Sequence, residues 1–306
     1  MIYSIVIPVF NSENVVGKTV DKTVTFCRDN KIAFELILVN DGSVDNSWGV
    51  LSEKATQYKE VISINLLKNY GQHVANICGF HHASGDFVIT MDDDLQNPPE
   101  EISKLIEKGF DGYDLVIGRY KQKKHSLSRR LGSKLVGLIN RKIFNSPKEL
   151  VLTNFRLIRR DVIKRVCAYK ASYPYVPGLV AMFSSNPANV LVEHHNREVG
   201  ASNYNFWRII KLVSEILFNY SSYPLRFVAG LGLVMSFLSF LLSLFYLGSA
   251  LINGVSVPGW ATVVVLLSFF NGMTLFVIGM VGEYLVRLIN QSSTPDIYHI
   301  KDIVGE

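Results

Sequence analysis

The sequence has little charge, and one long stretch has none at all. Asp, Glu, Lys and Arg make up 19% of the 306 residues, whereas hydrophobic residues make up 48%. These proportions exclude a disordered chain and a coiled coil, because both are rich in charge. The charges are also unevenly placed, since residues 227–282 contain no Asp, Glu, Lys or Arg. Part of the chain is therefore predicted to lie out of contact with water.

Cysteine is scarce as well. The chain has three cysteines, Cys27, Cys78 and Cys167, which are far apart and lack the spacing of metal ligands. An odd number of separated thiols indicates a reduced, cytosolic environment rather than a disulfide framework. The opening residues are apolar but lack the basic segment and small-residue cleavage site of a signal peptide, so they predict a strand.

The uncharged stretch predicts two membrane-spanning helices. Residues 253–259 interrupt it with Asn, Gly and Pro, which form turns and would expose unpaired backbone groups in hydrocarbon. The two halves, 227–252 and 260–282, are each long enough to cross a core of about 30 Å. Basic residues lie outside both spans, so we expect a multi-pass protein of the inner (cytoplasmic) membrane with both termini in the cytoplasm. The alternative is a buried helical hairpin of a soluble protein.

Residues 1–120 alternate β-rich runs with helical patterns. This alternation predicts an α/β fold, a mostly parallel sheet with helices on both faces. In such sheets ligands bind beyond the carboxyl ends of the strands. The predicted strands cover residues 2–9, 34–39, 61–66, 87–91 and 115–117, and the predicted helices cover residues 15–29, 46–58, 71–82 and 99–108.

Polar clusters follow the first, second and fourth predicted strands, at residues 11–13, 40–43 and 92–94. Asp92 and Asp94 are two residues apart, so in an extended segment their side chains point the same way. Their oxygens are then placed to share one Mg²⁺ or Mn²⁺ ion, whose remaining ligands are usually phosphates. The sequence therefore predicts a metal and phosphate site at this edge of the sheet.

Two further segments are amphipathic. Residues 115–148 contain no acid and ten Lys or Arg, with leucines at helical spacing. This pattern is typical of a basic helix that lies on anionic lipid or closes over phosphates, although a solvated helix packed on the domain also fits. Residues 205–224 predict an interfacial helix, with a core helix as the alternative. The neighbouring membrane spans argue against a nucleic-acid partner.

These motifs, in this order, resemble glycosyltransferase family 2, and within it the polyprenyl-phosphate glycosyltransferases. The resemblance covers nearly the whole chain. It rests on the following segments: Ile7-Pro8-Val9-Phe10-Asn11, Val39-Asn40-Asp41-Gly42-Ser43, Lys68-Asn69-Tyr70-Gly71, Ala83-Ser84-Gly85-Asp86, Asp92-Asp93-Asp94-Leu95-Gln96, Gly118-Arg119, Thr153-Asn154-Phe155-Arg156, Arg197-Glu198-Val199-Gly200-Ala201-Ser202 and Gly282-Glu283-Tyr284.

The resemblance implies a Rossmann-like nucleotide-diphospho-sugar transferase domain, called GT-A. It also implies inverting transfer of a sugar from a nucleotide diphosphate sugar to undecaprenyl or another polyprenyl phosphate, with Mg²⁺ or Mn²⁺. The product would be a lipid-linked sugar for a cell-envelope glycan or for lipopolysaccharide modification. The resemblance also implies that the protein is a homo-oligomer. Gln72-His73 resembles the aminoarabinose branch, which favours an amino or deoxy sugar over glucose, while the sugar itself stays open.

The resemblance also implies roles for individual residues and a division of the chain. Asp92, Asp94 and Arg119 are the expected catalytic residues. The other expected roles are nucleotide-sugar binding by Pro8, Phe10, Asp41, Arg197 and Ser202, metal binding by Asp92, Asp94 and Gln96, and acceptor-phosphate binding by Arg119 and Arg129. The expected regions are a catalytic domain at 1–204, the interfacial helix at 205–224, the membrane helices at 225–289 and a cytoplasmic tail at 290–306.

A different class of function is a non-catalytic membrane scaffold or flippase partner that kept a nucleotide-sugar fold. Such a protein has no physical need for the set Asp92, Asp94, Arg119 and Arg197, which is intact in this chain. The transferase is therefore the favoured hypothesis.

Overall fold

An eight-stranded sheet organises the first of two structural units in a computed structural model of the chain. The structure describes residues 1–120, 137–169, 171, 173–195, 206–253, 259–293 and 297–305. By contacts, the first unit comprises Met1–Val213 and Pro295–Glu306, and the second comprises Ser214–Thr294. The first unit therefore includes residues that precede the second unit in the sequence and residues that follow it.

The sheet has the strand order β7-β5-β6-β4-β1-β2-β3-β8. Six strands run in one direction, and β6 and β8 run antiparallel to their neighbours. The predicted mostly parallel sheet is thereby confirmed. The strands are β1 Tyr3–Val9, β2 Phe34–Asn40, β3 Val61–Leu66, β4 Phe87–Thr90, β5 Leu115–Tyr120, β6 Arg156–Arg159, β7 Pro187–Val192 and β8 Ile300–Val304.

Helices connect these strands, and those predicted within residues 1–120 form close to their expected bounds. Pro99–Glu101 is a short 3₁₀ turn that leads into α4, because the proline ring fits the first turn of a helix. The helices are α1 Val16–Asp29, α2 Ser47–Gln57, α3 Gln72–His82, α4 Ile102–Phe110, α5 of which residues 137–144 are described, α6 Arg160–Ala168, α7 Val176–Phe183, α8 Phe206–Tyr220, α9 Tyr223–Asn253 and α10 Trp260–Ser293.

The alternation of side chains along β1 builds a core on each face of the sheet. Ile5 and Ile7 are fully buried with Val20 of α1 in one cluster, and each such side chain stabilises the fold by about 1.5 to 3 kcal/mol. Val6 points to the other face, where α3 packs. A Cβ on Gly79 of α3 would lie 2.3 Å from Cγ1 of Val6, so only glycine allows this close approach. The helices thereby hold the central strands firmly on both faces.

Strand β8 is the main difference from the expected division of the chain. Residues 290–306 were expected to be a tail, but Ile300–Val304 pair with β3 as an edge strand. The Asn65 side chain donates a hydrogen bond to Asp302 over 3.2 Å. Charged residues are typical of sheet edges, and here Lys301 and Asp302 interrupt the apolar pattern by which a strand is recognised in the sequence.

The second unit contains two long helices, α9 and α10, which contact each other. Their large apolar side chains are widely exposed, and Phe227 and Leu275 reach 73% and 70% exposure. Among the described residues, one window, Phe269–Val286, is long and apolar enough to cross a membrane, judged by length and composition. Both helices are longer than the predicted spans, because they continue beyond the uncharged stretch on one side.

Candidate active site

A cavity of about 520 Å³ lies at the carboxyl ends of strands β1 to β4. The parallel strands bring residues from four separate loops to this edge, as expected for such sheets. Six predicted site residues line the cavity: Pro8, Phe10, Asp41, Asp92, Asp94 and Gln96. Its wall also includes Asn11, Asn69, Gly71, Gln72 and Asp93.

One wall of the cavity is formed by the loop that follows β1. The Phe10 ring is 47% exposed and lines the cavity, which suits stacking against a flat ligand group. Asn11 has a left-handed backbone with φ of 51°, which Asn tolerates better than most residues. Its side-chain oxygen accepts a hydrogen bond from the Val44 amide over 3.0 Å, and its own amide donates to Ser43 Oγ over 3.0 Å. These bonds fix the β1 loop to the β2 loop.

Asp41 is buried and bonded to the loop that follows β3. Its two carboxylate oxygens accept hydrogen bonds from the backbone amides of Tyr70, at 2.7 Å, and Gly71, at 2.8 Å. Burial raises the pKa of Asp41, while these two amides act in the opposite direction. Gly42 follows with φ of +62°, and an added Cβ would lie 2.3 Å from the Lys68 backbone. Asp41 therefore orders the cavity wall, a task that the sequence did not reveal.

The acidic loop after β4 is tightly turned. Leu95 has φ of +55°, a left-handed conformation that is uncommon for a large apolar residue and costs about 1 to 3 kcal/mol. Asp94 Oδ1 accepts the Gln96 amide over 3.1 Å. The Gln96 carbonyl accepts the His195 amide over 2.9 Å, which joins the loop to the end of the segment after β7. The turn brings the two predicted metal ligands, Asp92 and Asp94, to the same cavity.

Asp92 is held by two amide side chains. Its Oδ1 accepts a hydrogen bond from Gln72 Nε2 over 2.8 Å and another from Asn154 Nδ2 over 2.7 Å. Burial raises the pKa of Asp92, as does the neighbouring Asp94, while the two amides oppose the rise. The sequence did not place Gln72 or Asn154 in the site. The available signal was that Asn154 lies within one of the segments that carry the family resemblance, and that Gln72 directly follows another.

Arg119 lies at the end of β5 and is exposed. It is not among the residues that line the cavity. Ile117 pairs with Arg156, and Arg156 pairs with Thr90, so all three share one face of the sheet. Arg119 lies two residues after Ile117 on β5, and Asp92 lies two residues after Thr90, just beyond the end of β4. Because β6 lies between these strands, the two positions are about 10 Å apart along the sheet.

Three other predicted residues, Arg129, Arg197 and Ser202, lie outside the described residues. Residues 121–136 of the basic segment 115–148 lie outside them as well. Their roles stay predictions. His195, which bonds to Gln96, is the last described residue before the segment that contains Arg197 and Ser202.

A family model described as glycosyl transferase family 2 matches residues 4–167, more than half of the chain. The chain belongs to this family. It is 35% identical over 305 residues to the undecaprenyl-phosphate 4-deoxy-4-formamido-L-arabinose transferase of Proteus mirabilis (strain HI4320), covering 99% of this chain and 94% of the relative. It is 33% identical over 306 residues to the transferase of the same name from Photorhabdus laumondii, with the same coverage.

Solved structures share the fold of this family 2 glycosyltransferase. The chain matches glucosyl-3-phosphoglycerate synthase from Mycobacterium tuberculosis, crystallised with Mn²⁺, UDP-glucose and phosphoglyceric acid, with a TM-score of 0.53. The match covers 70% of this chain and 78% of that chain at 15% identity. A second structure of that synthase, with Mn²⁺, UDP and glucosyl-3-phosphoglycerate, gives a TM-score of 0.51. The expected GT-A fold is therefore confirmed for the sheet domain.

The acidic loop has a donor set that fits a hard divalent cation. Within the part of the chain that the structure describes, no group of three or more His, Cys, Asp or Glu side chains is arranged to hold a metal. Mg²⁺ and Mn²⁺ do not need such a group, because one or two carboxylates plus substrate phosphates suffice. Asp92 and Asp94 provide two carboxylates beside the cavity. The residues present therefore fit a cation that binds together with a phosphate ligand.

Asp93 gives this glycosyltransferase a pH-dependent stability. Burial, followed by the charges of Asp92 and Asp94, raises the pKa of Asp93 to about 6. The folded state then holds a proton that the unfolded chain has lost, so the contribution of Asp93 to stability is expected to fall as the pH rises from about 4 to about 6. In EDTA, Asp93→Asn should raise the melting temperature relative to the wild type by an amount that grows across this window. Asp29→Asn, an exposed position at the end of α1, is the control. A difference in melting temperature between Asp93→Asn and the wild type that stays the same across this pH range would contradict this interpretation.

Proposed function

We propose that this enzyme transfers a sugar, with inversion, from a nucleotide diphosphate sugar to undecaprenyl or another polyprenyl phosphate. The observation that carries the proposal is the cavity with Asp92 and Asp94 at the carboxyl edge of the sheet. It occurs in a chain that is similar over 99% of its length to transferases named for undecaprenyl phosphate. This likeness covers both structural units, and the acceptor class is inferred from it.

The cavity is suited to the donor. Its volume of about 520 Å³ lies within the range of pockets that bury a small ligand. We assign Phe10 and Pro8 to the apolar wall against the nucleotide, and Asp41 to the polar groups of its base or ribose. Arg197 and Ser202 are proposed to close over the donor diphosphate. Relatives named for 4-deoxy-4-formamido-L-arabinose support an amino or deoxy sugar rather than glucose.

The reaction needs little proton transfer. An oxygen of the acceptor phosphate attacks the anomeric carbon, and the bond from that carbon to the nucleotide diphosphate breaks, so the diphosphate leaves with the bonding electrons. Because the second pKa of a phosphate ester is about 6, the nucleophile is largely ionised at neutral pH. When bound, Mg²⁺ or Mn²⁺ held by Asp92, Asp94 and Gln96 would neutralise the charge on the departing diphosphate. Solved structures of this fold contain Mn²⁺, which supports the use of a divalent cation.

A second unit rich in exposed apolar side chains supports placement in a membrane, where a polyprenyl carrier resides. We propose two spans with both termini in the cytoplasm of the cell, and an assembly of several copies. The product would supply a cell-envelope glycan or a lipopolysaccharide modification. Mass measurement of the detergent-solubilised protein by light scattering tests the assembly, and a single-copy mass would exclude it.

The topology is tested by labelling. Gly259 precedes α10, is exposed, and has no atom within 4 Å of an added Cβ, so Gly259→Cys should fold normally. In a background without Cys27, Cys78 and Cys167, an impermeant thiol reagent should label it in intact cells. Gly305→Cys is unsuitable as the cytoplasmic control, because an added Cβ would lie 2.3 Å from the Val61 carbonyl oxygen. Asp111→Cys, on the exposed surface of the sheet domain, is the control instead. Labelling of both positions, or of Asp111→Cys alone, would show that the topology is wrong.

The activity is tested by product analysis. Purified protein is incubated with undecaprenyl phosphate and a panel of nucleotide sugars, and the lipid product is identified by mass spectrometry. Asp94→Asn should lower the rate by about 10² to 10³, because diphosphate charge is then left uncompensated in the transition state. Asp111→Asn is the matched surface control and should retain the wild-type rate. No lipid product with any donor would favour a scaffold, and full activity of Asp94→Asn would refute its assignment.

Arg119 is proposed to hold the acceptor phosphate. A guanidinium binds phosphate through two parallel hydrogen bonds, whereas Lys offers a single point charge. Arg119→Ala should raise the apparent KM for undecaprenyl phosphate and lower turnover while donor affinity changes little. Arg119→Lys should recover part of the loss.

The control for Arg119 is Arg165→Ala, an exposed arginine on α6 that pairs with Asp161. Calorimetry measures donor binding, and kinetics at varied lipid concentration measure the acceptor. Weaker donor binding with unchanged acceptor kinetics would show that Arg119 binds the donor diphosphate and not the acceptor phosphate.

A further inference from the structure

Arg156 is a buried cation directly behind the acidic loop. It lies on β6 and is 1% exposed. No carboxylate among the described residues lies within 4.0 Å of its guanidinium. Burial lowers the pKa of Arg156 to about 10, so it is still charged at neutral pH. A buried charge without an ion pair is costly and calls for a specific role.

The hydrogen bonds of Arg156 lead towards Asp92. Its Nε donates to Thr90 Oγ1 over 3.0 Å, and its Nη2 donates to Asn154 Oδ1 over 2.8 Å. Asn76 Nδ2 donates to the same oxygen over 3.2 Å. Asn154 Nδ2 in turn donates to Asp92 Oδ1 over 2.7 Å. The cation and the carboxylate are therefore joined through a single amide.

This arrangement fixes which end of the Asn154 amide faces Asp92. Arginine has donors and no acceptor, so the amide atom that faces Arg156 must be the oxygen. The NH₂ group must then face Asp92, which as a carboxylate only accepts. Gln72 donates to the same Asp92 oxygen. Both amides thus bind Oδ1, and neither of these bonds uses Oδ2.

His73 adds no positive charge beside Arg156 at neutral pH. His73 is buried, and burial together with Arg156 lowers the pKa of His73 to about 4, so it is neutral at pH 7. The His73 ring meets Tyr175 edge to face at 5.4 Å between centroids. Arg156 is thus the positive charge of this buried cluster, and the Asn154 amide connects it to Asp92.

We propose that Arg156 is a positioning residue for Asp92: it orients the Asn154 amide, which binds one carboxylate oxygen and leaves the other directed to a divalent cation in the cavity. This inference rests on the proposed function for the presence of the cation. It concerns residues to which neither the sequence nor the family resemblance assigned a role. The geometry of the guanidinium is essential, since two separate acceptors must be bound at fixed positions.

Manganese binding provides the first test. Free Mn²⁺ is measured by electron paramagnetic resonance with purified full-length protein, with and without UDP. Arg156→Lys keeps the charge but cannot bind Thr90 and Asn154 as a planar group, so we expect Mn²⁺ affinity to fall about tenfold or more. Asn154→Ala should cause a similar loss. The double variant should bind no more weakly than Asn154→Ala alone, because Arg156 acts through Asn154.

Arg160→Lys is the matched control. Arg160 follows β6 and donates to the Ala83 carbonyl near the start of β4, at the opposite edge of the sheet. It should leave Mn²⁺ affinity unchanged. Wild-type affinity in Arg156→Lys would overturn the proposal, since charge alone would then suffice. Losses that add in the double variant would also overturn it, because Arg156 would then act by another route.

A second measurement needs no metal. In EDTA, melting temperatures are compared for Arg156→Lys, Asp92→Ala and their combination. When Asn154 is present, the shift in melting temperature of the double variant should differ from the sum of the two single shifts. In an Asn154→Ala background, the two shifts should add. Additive shifts in both backgrounds would overturn the proposal. If the wild type binds no Mn²⁺ even with UDP, the metal assignment of the proposed function fails, and this cycle decides the role of Arg156 by itself.

Discussion

Repulsion between neighbouring carboxylates is the constraint on which the site depends. Three successive acids, Asp92 to Asp94, follow a buried strand, and burial raises the pKa values of Asp92 and Asp93. Like charges at such a place are unfavourable unless fixed donors or cations compensate them. The structure supplies amide donors to Asp92 and a buried guanidinium beyond them. A divalent cation would provide the remaining compensation, which agrees with the proposed metal site at this loop.

The topology of the sheet brings these compensating groups together. Strands β1 to β4 run parallel, so their following loops share one edge and form the cavity. Strand β6 then returns antiparallel beside β4, with Thr90 opposite Arg156. This reversal places Asn154, just before β6, next to Asp92, just after β4. A purely parallel arrangement would carry the start of β6 to the opposite edge of the sheet, away from the acids.

The sequence predicted the elements within residues 1–120 because each carries a strong local signal. Strand β1 is a continuous apolar run, and the polar clusters mark where β1, β2 and β4 end. It did not predict how Gln72 and Asn154 converge on Asp92, because single amides at separations of 20 and 62 residues leave no periodic pattern. Strand β8 was missed for a related reason. Its pairing with β3 is a long-range contact, and two of its five residues, Lys301 and Asp302, are exposed charges.

The placement of Arg119 relative to the acids fits the proposed transfer better than it fits a binding role alone. The strand register aligns Arg119 with Asp92 across the sheet and places them on the same face. Since β6 lies between their strands, the two residues are about 10 Å apart. A cation that served only to neutralise Asp92 would be most effective in contact with it. Such a cation would lie closer to the position of Arg156 than to that of Arg119. Arg119 is instead exposed at the strand end. If Arg119 binds the acceptor phosphate and the acidic loop binds the donor diphosphate through a cation, as proposed, the two phosphate positions leave room for a group between them. The proposed reaction needs such an arrangement, because one phosphate departs as another attacks the same carbon from the opposite side.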